Sequence, residues 1–281
     1  MIVVTGATGN VGSTLVRSLA EAGEKVVAVS RGEKPVDLPA GVEHRRADIG
    51  DLGELAAAVA GADKMFLLIT GPQLVSGPAP EQVLETVAAA GVRRLVFLSS
   101  QGAVTRPGGD GYARTLAFEK ALAASDLEWT AVRPGGFATN TFAWIEPVRT
   151  QRTVFAPFGD IGLPVVDPAD IAAVAAVALR EDGHDGQVYT VTGPEAVTPR
   201  QQAEALAAAL GEPLPFVELT REQARGNMLR FMPESVADHT LEILGTPTVA
   251  EQEVSPDVQR VLGRPATSYA EWAQRNIPAY R

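Results

Sequence analysis

The chain has 281 residues, 46% of them hydrophobic, with a formal net charge of −10 and no cysteine. That length and apolar share suit one large α/β core, or one and a smaller second one, and argue against disorder. The acidic balance, broken only by short pairs such as Arg45-Arg46 and Arg93-Arg94, argues against a nucleic-acid binder, and the missing cysteines exclude disulfides, thiolate nucleophiles and Cys-bound zinc.

The chain opens on an apolar run, Ile2 to Val4, followed by Gly6, Gly9 and Gly12 at three-residue spacing and a helical pattern from Ser13 to Ala22. Strand, glycine turn and helix in that order predict a dinucleotide site. Gly6 permits the tight turn, Gly9 lets a pyrophosphate approach the backbone, and Gly12 lets the helix pack close to the strand. The first helical turn then offers free N–H groups and partial positive charge to phosphate.

A second strand is expected at Lys25 to Ser30, followed directly by Arg31, then a proline-containing loop over 32–41 and a short strand at Val42 to Arg46 ending in Ala47-Asp48. Asp51 reads as the N-cap of a helix through Val59. Lys64 to Thr70 is a near-continuous apolar run, hence a central strand. A loop with three prolines leads to a helix over Glu81 to Ala90, a strand at Arg94 to Ser99, a glycine-rich loop over 101–111, a helix over Tyr112 to Ala124 and a strand at Glu128 to Arg133. Strictly alternating strands and helices predict α/β architecture with a doubly wound parallel sheet, whose ligand crevice lies at the strand C-termini.

The pattern changes after that. Residues 139–164 read as irregular, rich in aromatics and proline. A helix follows at Asp167 to Leu179, a strand at Gln187 to Thr192 that can extend the first sheet, a helix over Pro199 to Leu210 capped by Thr198 and Gly211, and a short strand at Leu214 to Leu219. The remainder reads as helices at 221–230, 234–244, 256–262 and 268–275. The expected division is a Rossmann domain over residues 1–150, extended by 170–193, and a smaller, mostly helical substrate domain from 151–169 and 194–281. No apolar stretch reaches membrane-spanning length and no leader pattern opens the chain, so a cytoplasmic protein without a membrane partner is expected, as a monomer or as a homodimer through the helical tail.

Several motifs, taken in order, carry a family resemblance: Thr5-Gly6-Ala7-Thr8-Gly9-Asn10-Val11-Gly12, Ser30-Arg31, Ala47-Asp48, Phe97-Leu98-Ser99-Ser100, Trp129 to Pro134, Asp167 to Ala172, Thr192 to Ala196 and Leu262-Gly263-Arg264-Pro265. With them the chain resembles the NmrA-like branch of the atypical short-chain dehydrogenases/reductases over nearly its whole length. The resemblance implies a Rossmann domain with a small C-terminal substrate domain. It also implies either an NAD(P)H-dependent reductase of quinone-like or aromatic small molecules, or a cofactor-sensing regulator that acts through protein partners without turnover.

The second strand ends in Ser30-Arg31 with no carboxylate at its tip, so a 2′-phosphate rather than a bare ribose is expected there and NADP(H) is favoured over NAD(H). Glu33 is the rival, as a ribose ligand or a surface charge. Asp48 resembles the family's adenine contact or serves as a helix cap. With Gly6, Thr8, Gly9, Asn10, Val11, Thr70, Gly71, Ser99 and Pro134, these residues form the expected cofactor set, Ser99 lying beside the nicotinamide.

Typical short-chain reductases place a tyrosine and a lysine four residues apart on one helix face, where the lysine lowers the phenol's pKa. Here Tyr112 and Lys120 are eight apart, about 12 Å along a helix and about 80° around it. By the spacing to Ser125 and Trp129, the usual positions hold Thr115 and Glu119. Ser99, Tyr112 and Lys120 are therefore the catalytic candidates, and none of them completes the usual pair. Reduction of an ordinary ketone makes an alkoxide that needs an acid, whereas a quinone gives a much weaker base that water can protonate. The expected reaction is hydride transfer to an electron-poor conjugated acceptor; a redox-neutral isomerase or coupling partner is a third class.

Phe137, Asn140, Phe142 and Trp144 either wall an aromatic substrate pocket or form a local core. Met228, Phe231 and Met232 read the same way. His44, His184 and His239 show no metal-ligand spacing, and no G-x-S-x-G elbow is present.

Overall fold

The computed structural model describes residues 1–32, 38–69, 71–109 and 112–281. In chain order the elements are β1 (Ile2–Thr5), α1 (Asn10–Glu21), β2 (Val26–Ser30), β3 (Glu43–Arg46), α2 (Leu52–Val59), β4 (Lys64–Leu68), α3 (Pro80–Ala89), β5 (Arg94–Leu98), α4 (Gly102–Thr105), α5 (Tyr112–Ala123), β6 (Glu128–Pro134) and α6 (Ile145–Gln151). They continue with β7 (Val154–Pro157), α7 (Pro168–Arg180), β8 (Gln187–Val191), α8 (Pro199–Leu210), β9 (Phe216–Leu219), α9 (Arg221–Met228), α10 (Glu234–Gly245), α11 (Val249–Gln252), α12 (Asp257–Leu262) and α13 (Tyr269–Asn276). Short 3₁₀ turns occupy Gly71–Leu74, Ala138–Trp144 and Ile277–Tyr280.

The chain divides into two compact units. The first takes residues 1–134, 168–191 and 260–263; the second takes 135–167, 192–259 and 264–281. The first boundary thus falls at Pro134, the end of β6, and not at the expected 150.

The first unit is built on a seven-stranded sheet in the order β3-β2-β1-β4-β5-β6-β8, every adjacent pair parallel. β1, β2 and β5 are buried nearly end to end, as strands covered on both faces must be. Successive side chains alternate between the faces. Val3, Val27, Met65, Leu67, Leu95 and Phe97 pack under α2, α3 and α5, whose Leu55, Val59, Leu84, Val87, Phe118 and Leu122 complete that layer. Phe97 and Phe118 stack with ring centroids 5.4 Å apart. On the other face lie α1 and α7, with Leu15, Leu19, Ile171, Val174 and Ala178 buried. β8 joins β6 in parallel register as expected from the sequence.

The strand order reverses between β1 and β4, so two neighbouring connections leave in opposite directions and open a crevice at the strand C-termini. Thr5 stitches that point. Its hydroxyl donates to the Phe66 carbonyl (3.0 Å) and accepts from the Leu68 amide (2.8 Å), bonds a diverging backbone does not supply.

The second unit holds β7 and β9, paired in parallel, and a core of Val148, Val154, Leu206, Tyr269, Trp272, Ile277 and Tyr280. The expected irregular stretch 139–164 in fact contains α6 and β7, and the expected loop over 101–111 contains α4. Neither short helix is long enough to show a period in sequence.

Candidate functional site

The first unit carries a cleft of about 170 Å³ at the strand C-termini, lined by Thr5, Gly6, Thr8 and Gly9 from the first turn, Val29, Ser30 and Arg31 from the second strand end, and Ala47, Ile49, Leu68 and Gln73 beyond them. Each part follows from local chemistry. Gly6 has φ +62°, a left-handed conformation that favours glycine. A Cβ on Gly12 would lie 2.2 Å from the Gly6 carbonyl oxygen, so the helix meets the turn only because position 12 is bare. A Cβ on Gly9 meets nothing nearer than that same oxygen at 3.4 Å. Gly9 is the N-cap of α1 and makes no side-chain cap hydrogen bond. Thr8, Gly9 and Asn10 are exposed there, while Val11 is buried against the sheet. An exposed helix N-terminus is what a pyrophosphate requires.

At the second strand end Ser30 is buried, its Oγ 2.9 Å from His44 Nε2, and Arg31 is exposed. Beyond β3, Asp48 accepts from the Gly50 amide (2.9 Å) and from Gln73 Nε2 (2.8 Å) through the same oxygen. Asp51 caps α2, accepting from the amides of Gly53 and Glu54, as expected from the sequence, and Asp48 does not cap that helix. Gln73 is a lining residue that sequence reasoning misses. It sits in a 3₁₀ turn inside a proline loop, and the only sequence signal is a polar side chain just past the end of β4. Arg114 of α5 holds that turn, donating to the carbonyls of Gln73 (2.6 Å) and Pro78 (2.5 Å). Gly71 opens the turn with φ +59°. Thr70 and Glu33 lie outside the described residues.

Farther along the sheet, Ser99 follows β5, its amide bonded to the Val132 carbonyl at 2.8 Å, and the Pro134 carbonyl at the end of β6 accepts from the Gln101 amide at 3.0 Å. The Ser99 hydroxyl donates to Glu119 of α5, whose carboxylate also pairs with Arg133. Glu119 thus occupies the lysine position as a buried, fully engaged acid. Thr115, at the tyrosine position, is 4% exposed. Tyr112 lies against the backbone of Gly102, where a Cβ would fall 2.4 Å from its ring, and Lys120 is exposed. Tyr112 opens α5 and Lys120 lies in its last turn.

In the second unit, the ring of Phe142 packs against Trp272 (centroids 5.4 Å apart) and Tyr280 (6.3 Å), and Trp144 packs on the same core. Phe137 is half-buried and Asn140 exposed. Ala224, and none of Met228, Phe231 and Met232, is the buried residue of its helical segment; Phe231 is 69% exposed. Among the described residues no helix is long and apolar enough to cross a membrane, and no group of three His, Asp or Glu side chains is placed to hold a metal ion.

The glycine turn, the helix N-terminus it leads into and the Ser30-Arg31 end of β2 suit a dinucleotide's phosphates in chemistry. Known proteins agree with this geometry. A family model described as NAD(P)H-binding matches residues 6–182. A (4-alkanoyl-5-oxo-2,5-dihydrofuran-3-yl)methyl phosphate reductase of Streptomyces griseus is 39% identical, covering 100% of this chain and 99% of its own. An NAD(P)H azoreductase of Xenophilus azovorans is 34% identical, with the same two shares. The crystal structure of an NADPH-dependent quinone oxidoreductase of Escherichia coli, in complex with NADPH, superposes with a TM-score of 0.79 at 27% identity, covering 98% of this chain and 99% of that one. On these grounds the chain belongs to the NAD(P)H-binding family and is an oxidoreductase of the atypical, NmrA-like short-chain dehydrogenase/reductase type.

Proposed function

We propose that this protein transfers hydride from NADPH to an electron-poor conjugated small molecule, a quinone or an enone-like acceptor, without a tyrosine–lysine acid pair. The observation that carries the reading is the make-up of α5: Thr115 and Glu119 stand where the acid and its lysine belong, Tyr112 is packed on Gly102, and Lys120 is exposed. Among the described residues, an α5 of this make-up offers an alkoxide no tyrosine–lysine acid pair. Acceptors whose reduced form is a weak base do not need one. The relatives point the same way: by name they reduce a 5-oxo-2,5-dihydrofuran, an azo compound and a quinone, each a conjugated π system.

The nicotinamide supplies the hydride when bound. The chain's residues do the rest. The first turn of α1 offers amides to the pyrophosphate, and the Gly9 position leaves it room. Arg31 supplies a planar cation and Ser30 a hydroxyl to a 2′-phosphate, which favours NADPH. Asp48, held by Gln73 and the Gly50 amide, accepts from the adenine amino group. Phe137 and Asn140, in the segment that follows β6, contact the acceptor.

The test is a panel of quinones, enones and simple ketones with NADPH and NADH. Turnover with conjugated acceptors and none with ketones is expected, and Tyr112→Phe should cost far less than the 10²–10⁴-fold of a deleted general acid. Arg31→Ala should weaken NADPH about tenfold or more, the worth of one charge-assisted contact, and leave NADH nearly unchanged. Ketone reduction that collapses in Tyr112→Phe would overturn the acid-free reading.

A further inference from the structure

A largely buried ionic cluster stands at the C-terminal ends of β5 and β6. Glu119 is 7% exposed, and its carboxylate accepts from the Ser99 hydroxyl and from Nε (2.9 Å) and Nη2 of Arg133. A buried ion pair contributes little net stability, since apolar residues of the same volume serve as well. Its geometry has a sharper consequence. A serine hydroxyl has one proton and two lone pairs. Here the proton goes to Glu119, and the serine amide is engaged by the Val132 carbonyl. A carboxylate has no proton to give, and a guanidinium accepts none. Toward anything that lies against it, Ser99 therefore offers lone pairs alone.

The place of Ser99 in the sheet points to what would lie against it. The sheet reverses between β1 and β4, and β5 stands two strands from β1, about 10 Å at the usual spacing. In such a sheet the two halves of a dinucleotide fall on either side of the reversal. Ser30, Arg31 and Asp48 mark the adenosine half on the β2–β3 side. The β4–β5 side would then receive the nicotinamide, whose carboxamide carries an N–H₂ donor.

We infer that Ser99 is a cofactor-binding residue that accepts an N–H from the nicotinamide carboxamide, and that Glu119 and Arg133 are positioning residues that keep its own proton turned away. The inference rests on the NAD(P)H reading of the cleft. It gives the buried acid at position 119 a role in fixing which way the ring's amide is held, and so which face of the ring is presented.

The test compares the dissociation constants of NADPH and of its reduced 3-acetylpyridine analogue, in which a methyl replaces the amide nitrogen, by fluorescence titration without any acceptor. The parent should bind NADPH about three- to tenfold more tightly, the range of one neutral hydrogen bond. Ser99→Ala should bring that ratio to about one. In Glu119→Gln the new amide donates to Ser99 and turns its proton outward, so the ratio should also fall; Glu119→Asp should restore part of it. A merely structural cluster would weaken both cofactors alike and leave the ratio as in the parent. An unchanged ratio in Ser99→Ala overturns the inference, and that conservative variant suffices should Glu119→Gln fail to fold. A parent that binds neither cofactor would instead overturn the NAD(P)H reading itself.

Discussion

At the scale of single residues, the three glycines of the first turn have separable jobs, and the structure says which substitution harms what. A Cβ at position 12 would drive into the Gly6 backbone at 2.2 Å, and neither partner is a flexible chain end that can step aside. A Cβ at position 9 finds ordinary contact distance, with the turn's exposed side free. Gly12→Ala should therefore destabilise the fold by about 1–3 kcal/mol, the usual cost of overpacking. Gly9→Val should keep the parent's melting temperature within a few degrees and lose NADPH binding, because its side chain fills the pyrophosphate's place. Thermal melts beside cofactor titration separate the two; a Gly9→Val protein that binds NADPH like the parent would show that the phosphates lie elsewhere. These roles are legible in sequence because the motif is local. The wiring of Ser99 is not, since its partners Glu119 and Arg133 are distant in sequence and meet only when β5, α5 and β6 are assembled.

At the scale of elements, legibility follows length and capping. α8 is readable to the residue, with Thr198 accepting from the Gln201 amide, Pro199 at its first position and Gly211 left-handed at its end. α2 is equally plain through Asp51. α6 and β7 are not. One is seven residues long with Pro147 inside its first turn, and the other is four residues whose parallel partner, β9, comes some sixty residues later. The turn after β4 belongs to the same class, yet it supports the site. Arg114 clamps it through the carbonyls of Gln73 and Pro78 and lies over the Phe118 ring at 5.4 Å. Arg114→Met keeps an apolar stem on Phe118 and removes both hydrogen bonds. With Gln73 released, Asp48 loses its orientation, and NADPH and NADH should weaken alike by about three- to tenfold, less than the full worth of two charge-assisted bonds because water can replace them. That equal loss distinguishes it from Arg31→Ala. An affinity unchanged for both would show that the turn holds its shape without the clamp.

At the scale of the whole molecule, each unit has a core of its own, and the groups proposed for the cofactor all lie in the first. The second concentrates a different liability. Tyr269 and Tyr280 are both buried, at 3% and 0% exposed, and both hydroxyls donate to Thr141, one to its side chain and one to its carbonyl, each at 2.9 Å. Burial disfavours the phenolate, so the Tyr280 hydroxyl is pushed up to about 12 and that of Tyr269 is raised as well. An unfolded chain releases these protons near pH 10. Below that pH both states keep them, and the stabilising contribution is whole. Between about pH 10 and 12 the unfolded chain loses them while the folded one does not, so stability falls with rising pH, by about 1.4 kcal/mol per pH unit for each tyrosine. For the pair this is about 2.7 kcal/mol per unit, a large fraction of the margin of a typical domain. Urea midpoints measured at pH 8, 10 and 11 should therefore drop steeply over the last step. The double variant Tyr269→Phe and Tyr280→Phe should start lower, having lost two hydrogen bonds, but follow a shallower slope across that step. The other ionisable groups are the same in parent and variant, so the difference in slope belongs to the phenols. Equal slopes would mean that the two hydroxyls ionise freely in the folded protein.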